Sequence, residues 1–260
     1  MIADKFYTDP LLAKHLIEVT NSKIDFSKFD VLLEPSAGSG SFYFNLDKSK
    51  RLGLDLYPDA NEILEQDFFT FKYDSNKKYI TIGNPPFGRV SSMAVKFFNT
   101  ASNFSEYICF IVPRTFKRVS VQNRLNLNFH LIYEENIPAN SFTPSMNVKC
   151  VYQIWEHRKQ KRNIVILPSF TNDFKFVSIA NKDNADFAML AYGGKCGRIE
   201  RVIPTTGLRS WHFIKVINDK NVEEIIARLN SLDYSICEDT ARQNSIGMKE
   251  VCELYNNKYT

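Results

Sequence analysis

The sequence has little of what marks several protein classes. Its apolar runs are short, and none approaches the ~20 residues a helix needs to cross a bilayer. Yet hydrophobic residues make up 44% of the chain, so a substantial core is available. The five cysteines (Cys109, Cys150, Cys196, Cys237 and Cys252) are odd in number, scattered, and form no Cys-x-x-Cys pair. Such spacing argues against a disulfide framework and against a metal site, and makes a reducing cytoplasm the natural compartment. Met1-Ile2-Ala3-Asp4-Lys5 lacks the basic-then-apolar pattern of a secretory leader. There are no internal repeats and no low-complexity tracts. At 260 residues the chain suits one large domain, or a domain plus a smaller one.

What is present begins with Val31-Leu32-Leu33-Glu34-Pro35-Ser36-Ala37-Gly38-Ser39-Gly40-Ser41-Phe42. An apolar run ends in a carboxylate, a proline and a small-residue loop with two glycines. This pattern predicts a buried strand, a tight turn and then a helix. Glycine permits strained backbone angles and close approach of a ligand. The loop is not a P-loop, because no Lys-Ser/Thr pair follows, and it lacks the third glycine of the dinucleotide fingerprint. A second short strand, Tyr79-Ile80-Thr81-Ile82-Gly83, runs into Asn84-Pro85-Pro86-Phe87. Two prolines fix the backbone and remove two amide donors. The Asn84 side chain and the Pro85 carbonyl are left as acceptors on a rigid elbow, beside the Phe87 ring.

Together these two motifs resemble the class I S-adenosylmethionine-dependent methyltransferases that act on exocyclic amines, and most closely the gamma-type adenine-N6 DNA methyltransferases. The resemblance covers roughly the first 156 residues. It implies that Glu34, Pro35, Ser36, Gly38 and Gly40 form the cofactor loop for S-adenosyl-L-methionine. It implies that Asn84, Pro85, Pro86 and Phe87 form the catalytic tetrapeptide. Tyr7 and Thr8 match loosely a segment that closes over the methionine end of the cofactor. Phe142 matches an aromatic that packs on the target base opposite Phe87.

Further cofactor candidates come from the strand after the glycine loop, Arg51 to Leu56. It ends in Asp55, a carboxylate suited to the two hydroxyls of a ribose. Leu56 beside it can pack on an adenine face. Asp67 can accept the adenine amino group, and Phe68 can pack on its ring. Upstream, Thr8 or Asp9 can cap a helix whose first turn accepts Pro10, with Leu12 and Leu16 at helical spacing. Ser91 to Ala101 reads as a helix, Tyr107 to Val112 as a strand buried on both faces, and Leu131–Tyr133 and Cys150–Trp155 as the last strands, partly antiparallel.

Charge divides the chain. Basic and acidic residues cancel through residue 156, so the whole excess of +4 falls in residues 157–260. Arg158, Lys159, Lys161 and Arg162 open that half, and Lys195 and Arg198 sit in a glycine-rich loop. A neutral catalytic region, 1–157, followed by a basic region, 158–260, suggests chemistry first and grip on a polyanion second. The expected fold is α/β: a doubly wound, Rossmann-like sheet followed by a smaller α+β region. The expected activity is methylation of a flipped adenine in DNA, as in restriction–modification, with no membrane and no metal. RNA adenine or guanine, a protein glutamine amide, and a silent nucleic-acid-binding module stand as alternatives.

Overall fold

The computed structural model describes residues 6–145 and 148–260. Met1–Lys5, read above for a leader pattern, lie outside the described residues. The chain divides into two compact units, Met1–Ile164 and Val165–Thr260.

In the first unit the elements follow in the order β1 (Tyr7–Thr8), α1 (Pro10–Lys23), β2 (Val31–Glu34), β3 (Arg51–Asp55), β4 (Leu64–Glu65), β5 (Tyr79–Gly83), α2 (Ser92–Ala101), β6 (Ser105–Pro113), α3 (Val119–Gln122), β7 (Phe129–Asn136), β8 (Phe142–Thr143) and β9 (Cys150–His157). Seven strands make one sheet in the order β4-β3-β2-β5-β6-β9-β7. β9 runs antiparallel to β6 and to β7, and the other pairs are parallel. Both faces are covered. Val31 and Leu33 of β2 pack with α2 and α3 on one side, while Leu32 packs with α1 on the other. Burial on two faces is why β2, β5 and β6 read as near-continuous apolar runs. The fold is thus the doubly wound α/β sheet expected from the sequence.

Helix α1 starts where its chemistry dictates. Asp9 Oδ1 accepts from the amides of Leu11 and Leu12 at 2.8 and 3.1 Å, and Pro10 occupies the first turn. Ala13, Leu16, Ile17 and Thr20 form its buried stripe. Thr8 is not a cap. It belongs to β1, which pairs with β8.

One expectation fails after the glycine loop. No α-helix follows it, only a single 3-10 turn over Tyr43–Asn45. The segment before β3 is too short for more. Asp47, Ser49 and Lys50 turn the chain at once, through Asp47 Oδ1 accepting from the Ser49 amide at 2.9 Å.

The second unit holds β10 (Phe174–Val177), β11 (Phe187–Leu190), β12 (Ile199–Glu200), β13 (Trp211–Val216), α4 (Val222–Asn230) and α5 (Met248–Tyr259). Its antiparallel sheet has the order β10-β13-β11-β12. Phe174, Phe187, Met189 and Ile214 bury against Ile225, Ile226 and Leu229 of α4 and Val251 and Tyr255 of α5. Among the described residues, no helix is long and apolar enough to cross a membrane.

Candidate active site

The carboxyl ends of β2, β3 and β5 lie side by side, and the loops leaving them meet. The observed link is Ser36 Oγ donating to the Asn84 carbonyl at 3.2 Å. Sheet order explains it. β2 and β5 are hydrogen-bonded neighbours, so the glycine loop and the Asn-Pro-Pro-Phe elbow emerge at one edge.

Glu34 ends β2 and is only 2% exposed. Its Oε2 accepts from the Tyr43 amide at 2.7 Å. Burial pushes its carboxyl well above the ordinary range, against the opposing pull of that amide, and the nearby Asp55 charge pushes the same way. Glu34 therefore shapes the loop from beneath instead of facing its mouth. Pro35 is buried beside it. Gly38 and Gly40 have φ of 51° and 86°, the left-handed region where glycine is at ease. A Cβ on Gly38 would meet the Tyr7 ring at 3.2 Å, and one on Gly40 would meet the Phe44 ring at 2.5 Å.

Asp55 ends β3. Its Oδ2 accepts from the Gly38 amide at 2.7 Å and its Oδ1 from the Tyr57 amide at 2.9 Å. The carboxylate thus fastens the glycine loop to the next strand. A carboxylate offers about four lone-pair sites, so two remain for hydroxyl donors. Leu56 follows it and is exposed. Asp67 Oδ1 accepts from the Phe69 amide at 2.9 Å, capping a 3-10 turn. Tyr7 lies across the loop, its hydroxyl donating to Asp59 Oδ2 at 2.7 Å. Ser41 Oγ donates to the Thr8 carbonyl at 2.7 Å, which holds β1 over the same loop.

The elbow carries the most telling atom. Asn84 Nδ2 donates to Thr8 Oγ1 at 3.2 Å and to the Phe6 carbonyl at 3.4 Å. These bonds fix the amide plane. Asn84 Oδ1 is buried and has no hydrogen-bond partner. Buried acceptors are almost always satisfied, so an orphan needs a reason. Pro85 is buried, Pro86 exposed and Phe87 half-buried. The backbone beyond turns left-handed, with φ of 68° at Gly88, where glycine bears it freely, and of 51° and 58° at Val90 and Ser91. For Val90 and Ser91 that conformation costs about 1–3 kcal/mol each, a cost typical of functional loops. It is held by Ser91 Oγ against Thr115 Oγ1 at 2.8 Å and by the Phe87 carbonyl, which accepts from the Met93 and Ala94 amides.

Other expected site residues fall elsewhere. Phe68 is 2% exposed and stacks on Phe97 with ring centroids 5.2 Å apart, so it offers no face to a ligand. Phe142 is 5% exposed, paired to Thr8 across β1 and β8 and packed among the residues that cover α1. It is a core residue and not a second clamp on a base.

The basic run is displaced most. Gly83 is level with Phe110 of β6, and Phe110 faces Gln153 of β9. Because β9 is antiparallel, its end points away from the elbow, and Gln153 to Arg158 spans about 17 Å of extended chain. The Arg158 amide bonds to the Asn128 carbonyl at 2.7 Å, beside the start of β7. The Arg162 guanidinium is tied to the Phe129 and Gln122 carbonyls and lies over the Trp155 ring. Burial lowers its pKa. Arg158 pairs with Glu156 at 2.6 Å, while Lys159 and Lys161 are exposed. The run belongs to the opposite edge of the sheet from Asn84. Lys195 and Arg198 belong to the second unit, on the turn between β11 and β12, where Arg198 pairs with Glu200 at 3.0 Å.

Among the described residues, the cations at the carboxyl edge include Arg89, Arg114 and Lys149, and Arg124 donates to the Val90 carbonyl at 3.4 Å. Arg89 follows the elbow. The Arg114 amide bonds to the Lys149 carbonyl at 2.9 Å, where β6 ends and β9 begins. Arg89 and Lys149 are isolated in the sequence, and Arg114 opens the run Arg114-Thr115-Phe116-Lys117-Arg118, so none of the three points to the elbow by itself. Only the neighbouring positions of β5, β6 and β9 assemble them.

No family model and no curated protein matches the sequence. Several solved structures share features with it. The 23S rRNA methyltransferase ErmE aligns with a TM-score of 0.45 and 14% identity over 60% of this chain and 71% of its own. A presumed RNA methyltransferase from Pyrococcus horikoshii aligns at 0.47 and 14% over 60% of this chain and 88% of its own. The M protein of the EcoKI type I restriction enzyme aligns at 0.44 and 16% over 64% of this chain and 50% of its own. At these scores and identities the likeness says nothing about the chemistry of this chain.

Proposed function

We propose that the first unit is an S-adenosylmethionine-dependent N-methyltransferase that acts on an exocyclic amine, with adenine in DNA as its target. The orphaned, buried Oδ1 of Asn84 carries this reading. An amine on an aromatic ring has its lone pair drawn into the ring and is a poor nucleophile. Asn84 Oδ1 and the Pro85 carbonyl would accept its two hydrogens and favour a tetrahedral nitrogen with its lone pair free. Thr8 and Phe6 aim the Asn84 amide, so the acceptor is fixed before substrate arrives, which is how preorganised dipoles accelerate a reaction. Phe87 would stack on the base, which has to leave the duplex to reach the elbow.

The bound cofactor supplies an activated methyl on a sulfonium, and the residues present fit it. Asp55 has lone pairs to spare for a ribose diol. Gly38 and Gly40 admit a close ligand, Tyr7 and Thr8 line the loop, and Leu56 and Asp67 flank the strand end where an adenine would lie. Arg89, Arg114 and Lys149 would take phosphates. A protein glutamine carries the same two amide hydrogens, and positive charge at this edge of the sheet, with Arg89 exposed just after the elbow and Arg114 donating to Asn136 Oδ1 at 3.1 Å, favours a nucleic acid over it.

The test is methyl-labelled cofactor incubated with the protein and, separately, DNA, RNA and a protein mixture, followed by mass spectrometry of nucleosides and peptides. N6-methyladenine from DNA is the expected product. Label only in RNA or only in glutamine moves the target accordingly. Cofactor binding without transfer to any of them would leave a nucleic-acid-binding module.

A further inference from the structure

Two cysteines that lie far apart in sequence meet in the second unit. The Sγ of Cys237 is 2.7 Å from the Sγ of Cys196, with no disulfide between them. Cys196 sits on the turn between β11 and β12, and Cys237 on a 3-10 turn over Ser235–Glu238. The approach is built into the backbone. Gly197 has a φ of 95°, and a Cβ there would meet the Tyr234 ring at 2.6 Å. Only glycine lets the two turns come this close. Each turn is also pinned: the Cys196 amide bonds to the Gly193 carbonyl at 3.1 Å, the Gly197 amide to the Leu190 carbonyl at 2.8 Å, and the Cys237 amide to the Tyr234 carbonyl at 2.9 Å. Cys237 is buried, whereas Cys196 is partly exposed.

We propose that Cys196 and Cys237 are a redox modification site that forms a reversible disulfide by exchange with a low-molecular-weight disulfide. The order of events follows from exposure. The Cys196 thiolate, having lost its proton to solvent, attacks one sulfur of the small disulfide. A Cys196 mixed disulfide forms, and one small thiolate leaves and takes up a proton. The Cys237 thiolate, its proton likewise released to solvent, then attacks Cys196 Sγ. The Cys196–Cys237 bond forms as the mixed disulfide breaks, and the second small thiolate leaves and is protonated. Two protein thiols are oxidised, and one small disulfide is reduced to two thiols. A disulfide places its sulfurs about 2.05 Å apart, so the bond needs little movement of either turn. Its consequence is local. Lys195 and Arg198 flank the Cys196 turn, and the closed bond would hold that basic turn to the Ser235–Glu238 turn.

The full chain is incubated with oxidised glutathione, quenched with acid, digested and mapped by mass spectrometry without reductant. Two of the five thiols should disappear, linked as one Cys196–Cys237 peptide, and dithiothreitol should restore both. Cys237→Ser should stop at the glutathione adduct on Cys196. Trypsin cleavage after Lys195 and Arg198 should slow on oxidation and recover on reduction. Five thiols still titrating, a link to another cysteine, or a pair that resists reduction would each overturn the proposal. Mapping the unsubstituted chain decides this even if a variant fails to fold, and no arm depends on methyl transfer.

Discussion

Replacing Asn84 with alanine separates a catalytic acceptor from a structural one. The substitution removes an acceptor that has no partner in the folded chain. It also removes two neutral donor bonds, long ones at 3.2 and 3.4 Å. A buried unsatisfied group costs about 1–3 kcal/mol, and two weak neutral hydrogen bonds contribute about 1–2 kcal/mol together. The two effects oppose each other, and the buried Thr8 hydroxyl and the Phe6 carbonyl lose a donor, so the stability of Asn84→Ala should stay within about 1 kcal/mol of the original. In the calorimetric transition of the first unit that is a shift of at most ~2–4 °C. The methyl-transfer rate should behave quite differently. Losing one preorganised polar group slows a reaction by about 10²–10³-fold. Single-turnover methylation and differential scanning calorimetry on the same preparation measure both. Cofactor affinity, followed by titration calorimetry, should barely move, because Asp55 and the glycine loop are untouched. An undiminished transfer rate would refute the role given to Oδ1. A fall in melting temperature beyond ~10 °C would show that Asn84 is structural and that its Oδ1 is not held in reserve for a substrate.

Three other outcomes follow from the same geometry. Asp55→Ala should weaken S-adenosylmethionine binding by about 1–3 kcal/mol by leaving ribose hydroxyls unpaired, and unchanged affinity by calorimetry would remove Asp55 from the cofactor site. Glu34 has a carboxyl raised by burial above its ordinary 4.5, so the unfolded chain releases this proton first as pH rises. The contribution of Glu34 to stability is therefore full below pH 4.5 and is lost as pH climbs toward the raised value; Glu34→Gln, which still accepts from Tyr43, should flatten that decline in denaturant melts, and superimposable pH curves would contradict it. Neutralising Lys159 and Lys161 should leave the salt dependence of DNA binding unchanged, whereas neutralising Arg89, Arg114 and Lys149 should reduce its slope by about 0.9 for each phosphate that no longer meets a cation. The reverse pattern would return the grip on DNA to the far edge of the sheet.

The sequence alone determined what depends on local chemistry and on periodicity. The apolar runs of β2 and β5 announced strands, and that of β6 a strand buried on two faces. Asp9 and Pro10 announced the start of α1. The two prolines after Asn84 announced a rigid elbow, and the acid after Gly53-Leu54 announced the end of β3. These signals survive without tertiary context because they are set by backbone angles, missing amide donors and side-chain alternation. Tertiary structure decided everything that turns on which chain segments become neighbours. It put Phe68 and Phe142 in the core, since an aromatic side chain reads the same whether it covers a ligand or a helix. It sent Arg158–Arg162 to the opposite edge through the antiparallel direction of β9, which no charge count reveals. It gathered Arg89, Arg114 and Lys149 from three separate elements, and it brought Cys196 against Cys237 across 41 positions of chain. Above all, it left Asn84 Oδ1 buried without a partner. Whether an acceptor is satisfied depends on Thr8, Phe6 and every other group that packs around it, and these come from distant parts of the chain.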